Sequence, residues 1–198
     1  MSQPTATDPP LTATRAVDDP RTLRALAHPL RMSLLGALRV EGPSTASRLA
    51  DRLGESSGST SYHLRQLAAA GFVEEVEGEG TGRERWWRAL HRSTSWDEAE
   101  LATRPGGREL AGELAARTVA QQRRMLAAHA AERDGLDDDW RVASSLNDVG
   151  LRLGPEDARE LADELMAVLA RWRDTREDPD QPVVHVLVDL FPLRAYPL

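Results

Sequence analysis

Side chains suited to binding chemistry are concentrated in one short segment, residues 57–66. The segment carries hydroxyl, imidazole, amide and guanidinium groups and no carboxylate. Such groups donate hydrogen bonds to phosphate oxygens and to the edges of nucleic-acid bases, and small serines allow a phosphate to approach closely. The residues that we assign to this role are Ser57, Ser59, Thr60, Ser61, Tyr62, His63, Arg65 and Gln66.

A second set of cationic groups follows a glycine-rich turn. The run GEGTG occupies residues 78–82, and Arg83 and Arg85 come just after it. Apolar residues at 72, 73 and 76 before the turn, and two tryptophans at 86 and 87 after it, predict the two strands of a hairpin. Arginines near the tip of a hairpin suit a DNA minor groove or a row of phosphates.

Two helices are predicted ahead of the hairpin. Ser44 is the predicted cap of the first helix, whose apolar residues keep helical spacing until Gly54 stops it. Ser57 and Ser59 are the predicted caps of the second, which Gly71 ends in a left-handed conformation. The predicted exposed face of this second helix carries Ser59, Thr60, Tyr62, His63, Arg65 and Gln66. Helix, turn, helix and hairpin in this order predict a winged helix-turn-helix that reads DNA.

Three sequence segments resemble the ArsR family of bacterial repressors. They are ALAHPLRMSLL at residues 25–35, SYHLRQL at 61–67 and AAAGFVE at 68–74, and the resemblance covers roughly residues 20–90. It implies a homodimeric DNA-binding regulator. It also implies that the helix with Thr60, Ser61, Tyr62, His63 and Arg65 enters the major groove, and that Arg83 and Arg85 are the contacts of the wing.

Cysteine content separates this chain from the soft-metal sensors that it resembles. Those proteins bind metal through cysteine thiolates, and this chain has no cysteine. Its five histidines lack a chelating spacing such as H-x3-H. A zinc or nickel site of histidines and carboxylates is the less favoured alternative. We therefore predict no metal site and no cofactor.

Charge is distributed unevenly along the chain. The net charge is −7, yet residues 21–92 hold 11 arginines against 8 acidic residues. The positive charge thus coincides with the predicted DNA reader, and the acidic remainder would face away from phosphates. Because the basic excess is small, a dimer would be needed to make enough phosphate contacts.

Length and composition predict two modules after a tail. Residues 1–19 lack the features of a signal peptide and are expected to be a disordered tail. Residues 20–92 form the predicted winged helix-turn-helix, and residues 93–198 a dimerisation or effector domain. No run reaches the 18 apolar residues of a membrane span, so we expect a cytoplasmic protein with no membrane partner.

The second half is predicted to contain a long helix and a small α+β module. The alanine-rich segment 107–133 reads as a linking and dimerisation helix, with packing inside its own subunit as the alternative. Alternating residues from 140 onward predict strands, residues 155–172 a helix, and VVHVLVDL at 183–190 a buried strand. The aromatic and polar residues of 140–191 would line a ligand pocket or, as the favoured interpretation, a plain core. The fold class is therefore mainly α with small β (α+β).

Nucleophile-elbow, phosphate-loop and paired metal motifs are absent from the sequence, which argues against an enzyme. We predict a homodimeric, sequence-specific transcriptional regulator that binds double-stranded DNA at an inverted-repeat operator. Repression is favoured because a bound dimer blocks a promoter by occupying it. A small organic effector is an open partner, and the alternative function is a winged-helix protein-interaction module without specific DNA binding.

Overall fold

The computed structural model describes residues 12–76, 84–176, 178 and 181–193. The predicted fold class is confirmed, because the described chain is mainly helical with small sheets. Its strands are β1 (Thr12–Ala16), β2 (Ser44–Thr45), β3 (Val73–Val76), β4 (Trp86–Ala89) and β5 (His91–Ser95). Its α-helices are α1 (Pro20–Arg24), α2 (Pro29–Glu41), α3 (Ala46–Leu53), α4 (Ser57–Ala69), α5 (Glu98–Ala102), α6 (Gly107–Glu132), α7 (Asp138–Ala143) and α8 (Pro155–Arg176). The chain divides into two units, residues 1–126 and 127–198.

One apolar core holds the first unit together. Leu34 and Leu38 of α2 lie one helical turn apart, and Leu64 and Leu67 of α4 show the same kind of spacing. All four side chains are almost completely buried, together with Phe72 between α4 and β3. The start of α6 joins the same core through buried leucines. The apolar stripes of several helices therefore fix which face of α4 remains outside.

The predicted helix ends are confirmed, but the predicted caps Ser44, Ser57 and Ser59 were wrong. Gly54 and Gly71 adopt left-handed φ values of 68° and 72° after α3 and α4. The cap of α3 is Thr45, whose hydroxyl accepts from the backbone N–H of Arg48. Ser44 lies in β2 instead. The cap of α4 is Ser56, since a cap lies just before the first helical residue.

The predicted hairpin is confirmed, and it gains a third strand. β3 and β4 pair antiparallel, with Val73 opposite Ala89 and Val76 opposite Trp86. β4 also pairs antiparallel with β2, so the sheet order is β2-β4-β3. β2 has only two residues, too few to show an alternating pattern in the sequence. This pairing joins the hairpin to the start of α3.

The segment predicted as a disordered tail contains a strand. β1 pairs in parallel with β5, with Thr12 opposite His91 and Ala16 opposite Ser95. Val17 follows and is buried, and Asp19 then caps α1. Composition suggested disorder, but it carries no information about a partner strand almost eighty residues later. The prediction for residues 1–11 lies outside the described residues.

Two adjacent glycines mark the start of the long helix. Gly106 has a φ of 70°, which favours glycine. A Cβ on Gly107 would lie 1.7 Å from the carbonyl oxygen of Leu101, so no side chain fits there. α6 then runs to Glu132, which confirms the predicted long helix.

The strands predicted around α8 are absent from the described second half. Asp137 accepts from the N–H of Trp140 at 2.8 Å, and this cap starts α7 where a strand was predicted. Residues 183–190 belong to no strand, and no partner strand lies within the described part of this unit. The helix of the module is confirmed as α8, which continues to Arg176.

Candidate nucleic-acid interface

The exposed face of α4 is the candidate reading surface. Opposite the core, α4 presents Tyr62, Arg65 and Gln66 to solvent, and Tyr62 is 51% exposed. Tyr62 and Arg65 are three residues apart and Tyr62 and Gln66 four, so their side chains are neighbours on one face. Arg65 forms no ion pair with any carboxylate in the described ranges. Its guanidinium is therefore available to an external acceptor.

The first turn of α4 is exposed to solvent at a serine. Ser57 is exposed at the first helical position, next to the exposed Gly58. The N–H groups of a helix's first turn attract phosphate, and small side chains let it come close. Ser59 and Ser61 are half-buried at the two edges of the face. Ser59 and Ser61 therefore flank the exposed residues of α4 and do not lie between them.

Thr60 does not belong to the exposed face. Its side chain is fully buried, and its hydroxyl has no hydrogen-bond partner. Thr60 lies four residues before Leu64 and seven before Leu67, the spacing of the buried stripe. The prediction that Thr60 is exposed was therefore wrong, and this residue cannot reach DNA without unfolding α4.

His63 turns from the reading face towards α2. Its ring lies against the ring of His28, with centroids 4.2 Å apart and a 35° angle between the planes. The Nδ1 atom of His63 is buried without a hydrogen-bond partner. Burial, together with the nearby Arg31 cation, lowers the pKa of His63. His63 is thus a packing residue at the edge of the surface.

Ion pairs connect the two sides of the hairpin at its described residues. Arg85 lies just before β4, and its Nη1 atom is 3.2 Å from Oε2 of Glu75 on β3. A second cross-strand pair joins Arg88 to Glu74 at 2.6 Å. An exposed pair such as Arg85–Glu75 contributes at most about 1 kcal/mol, so a phosphate can replace the carboxylate. Arg83 lies outside the described residues.

Two arginines near this surface were missed by the sequence analysis. Arg48 of α3 stacks over the ring of Trp86, 4.8 Å from its centroid. Arg15 of β1 donates to the carbonyl oxygens of Ala70 and Gly71 at 2.8 and 2.6 Å, at the end of α4. No local signal marks the first contact, because Arg48 and Trp86 lie far apart in the sequence. No local signal marks the second.

Among the described side chains, no group of three or more histidines, aspartates or glutamates lies together as a metal site would require. None of the helices in the described ranges combines the length and hydropathy of a membrane span.

Comparison with known families identifies one region. A family model described as a helix-turn-helix domain matches residues 26–76. In the structure this region runs from the residues before α2 to the end of β3. No curated protein matches the chain. The chain therefore carries a helix-turn-helix domain of the type found in DNA-binding regulators, a type that is typically non-enzymatic.

Proposed function

We propose that this protein is an ArsR-like, homodimeric transcriptional repressor that binds a specific DNA operator. The observation that carries the proposal is the exposed row Tyr62, Arg65 and Gln66 on α4, inside a matched helix-turn-helix domain. The core holds the opposite face of this helix rigid. Rigid presentation of donors is what direct reading of base edges requires.

Each exposed group has a chemical partner in B-form DNA. Arg65 can donate two hydrogen bonds to O6 and N7 of a guanine, and Gln66 can pair with N6 and N7 of an adenine. Ser57 and the free N–H groups beside it suit a phosphate. Arg85 would leave its ion pair with Glu75 and bind a phosphate of the DNA backbone instead. Arg83 lies nearby in sequence. The base contacts give specificity, and the phosphate contacts fix the position of α4.

A homodimer would supply the second reading helix. One helix with few cationic neighbours makes few contacts, so two half-sites about one turn apart are expected, as an inverted repeat. The second half of the chain offers apolar surface for dimerisation. Leu165, Met166, Val168 and Trp172 of α8 are each at least 38% exposed. Burying such residues against a second copy would stabilise the dimer.

The experiment that tests this function is selection of genomic fragments by the purified protein, followed by titration of the selected site. We expect an inverted repeat and a clear preference over a shuffled duplex. Arg65→Ala should reduce that preference. If the wild type binds all sequences equally, or none, the specific regulator is rejected and a protein-interaction module takes its place.

A further inference from the structure

A shallow groove beside the reading helix is lined by arginines. Arg21 and Arg24 of α1 and Arg31 of α2 form one side, and Gln66 and Ala69 of α4 form the other. The groove encloses about 440 Å³. That space is about fifteen times the roughly 30 Å³ that a water molecule occupies in the liquid, so it admits a phosphate group with some of its water.

Among the residues that the structure describes, no carboxylate lines this groove. The closest acid along the chain, Asp19, caps α1 and accepts hydrogen bonds from the N–H groups of Arg21 and Thr22 and from the Thr22 hydroxyl. In the part of the chain that the structure describes, neither Arg21 nor Arg24 forms an ion pair. Arg21 and Arg24 therefore bring to the groove two guanidinium groups that have no carboxylate in direct ion-pair contact, although Arg21 attracts Asp19 over a longer distance.

Arg31 is held in place by the backbone. Its Nε donates to the carbonyl oxygen of Ala25, and its Nη2 donates to that of Arg24 at 3.2 Å. These bonds satisfy carbonyl groups at the end of α1, and they leave the Nη1 group of Arg31 for another acceptor. The groove thus combines one fixed guanidinium with two that are free to adjust.

We infer that this groove is a phosphate-binding site, occupied by the sugar-phosphate backbone when α4 lies in the major groove. The inference rests on the proposed function. Gln66 belongs both to the exposed face of α4 and to the wall of the groove. A backbone that borders the DNA groove read by Tyr62 and Arg65 would pass beside it. Guanidinium forks match phosphate oxygens, and the small Ala69 and Ala70 leave the approach open.

The salt dependence of operator binding tests the site. The variants are Arg21→Ala, Arg24→Ala and the double variant, with Arg123→Ala on α6 as the matched control. Each lost phosphate contact should make the slope of log K against log[salt] less steep by about 0.9. The preference for operator over shuffled DNA should stay unchanged. Arg24→Lys should keep most of the slope, because it keeps the charge. Thermal unfolding of each variant verifies that it is folded.

A second arm distinguishes the source of the phosphate. If the slopes are unchanged but inorganic phosphate raises the melting temperature of the wild type and not of the double variant, the site takes a free phosphate group. If neither effect occurs, the site does not exist. The Arg65→Ala variant separates the two proposals. If this variant loses its preference for the operator while the groove variants keep the salt slope of the wild type, the proposed function is supported and the phosphate site in the groove is overturned. If no DNA binds, the inorganic phosphate arm decides about the groove by itself.

Discussion

The imidazole ring of His63 on the reading helix packs against the ring of His28, the residue that caps α2. The two centroids are 4.2 Å apart. His28 accepts a hydrogen bond from the N–H of Leu30 through Nδ1, so it must be neutral at that atom. Burial lowers the pKa of both rings, and the pKa of His28 is lowered further by His63, Arg31 and Arg117 and raised by Glu55. The contact between α2 and α4 therefore favours the neutral form of both rings.

Stability should fall in mild acid. The pKa values of His28, His63 and His91 all lie below the ordinary value of 6.5, with burial as the main cause. The unfolded chain therefore binds protons more readily than the folded chain. The contribution of these histidines to the free energy of unfolding is complete above pH 6.5 and is lost as the pH falls towards the folded-state pKa values. Urea titrations at a series of pH values measure this. In the double variant His28→Asn/His63→Gln, which keeps a capping acceptor, the pH dependence should be smaller. An unchanged profile would contradict the assignment.

Thr60→Val should stabilise the protein. The buried Thr60 hydroxyl has no hydrogen-bond partner, and replacing it with a methyl group removes a desolvation cost of about 1 kcal/mol. Thr60→Ser is the control: it keeps the hydroxyl, removes a methyl group and should destabilise by about 1 kcal/mol. Chemical denaturation measures both, and operator affinity should not change. A loss of DNA binding in a stable Thr60→Val variant would mean that this residue does contact DNA.

Arg15→Met should loosen the end of the reading helix. The variant removes two hydrogen bonds to the carbonyl groups of Ala70 and Gly71, and it replaces the guanidinium over the ring of Phe72 with an apolar group. A hydrogen bond from a charged donor contributes about 1.5–3 kcal/mol, so a loss of that order in the free energy of unfolding is expected. Hydrogen exchange of the backbone amides of residues 67–72 should accelerate. Arg15→Lys should fall between the wild type and Met, and equal protection in all three would exclude an anchoring role.

Arg65 and the wing arginines should affect DNA binding differently. Arg65→Ala should reduce discrimination against a wrong base by about 1–3 kcal/mol, because it removes a base contact. Arg83→Ala and Arg85→Ala should weaken all sequences alike and flatten the salt dependence, because they remove phosphate contacts. Titrations of operator and shuffled duplex at several salt concentrations separate the two effects. Unaltered affinity in all three variants would reject the interface.

Soft metal ions should leave operator affinity unchanged. The chain has no thiolate, and thiolates give soft-metal sensors their affinity and selectivity. Titrations with zinc, cadmium and arsenite, compared with titrations in chelator, measure this. An organic inducer would need a preference of about 1.4 kcal/mol for the DNA-incompetent state to weaken binding tenfold. Stoichiometric metal binding that releases the protein from DNA would overturn this prediction.

The features that the sequence predicted are those with local causes. Gly54 and Gly71 end their helices through their own backbone conformation, which does not depend on the rest of the chain. The hairpin likewise forms from two strands that are neighbours in sequence. The spacing that buries Leu64 and Leu67 also reaches Thr60, so its burial could have been predicted from periodicity. Asp137 likewise offered a helix cap ahead of Trp140.

Contacts between residues far apart in the chain could not be predicted from the sequence. The pairing of β1 with β5 and the hold of Arg15 on the end of α4 depend on residues far apart in the chain. The same holds for Arg39, whose guanidinium donates to the carbonyl oxygen of His91 and to the hydroxyl of Thr94. Burial lowers the pKa of Arg39 to about 10. No pattern around Arg39 distinguishes it from an exposed arginine.

The parallel pairing of β1 with β5 closes a long loop that contains α1–α4 and the hairpin. Contacts between residues so distant in the chain carry a large loop-closure entropy and contribute strongly to contact order. We therefore expect these strands to join late in folding and to separate early in partial unfolding, before the core of α2 and α4 opens. Each such opening would carry Arg15 away from Gly71. The stability of α4 would thus be tied, at one end, to the contact that we expect to form last in this unit.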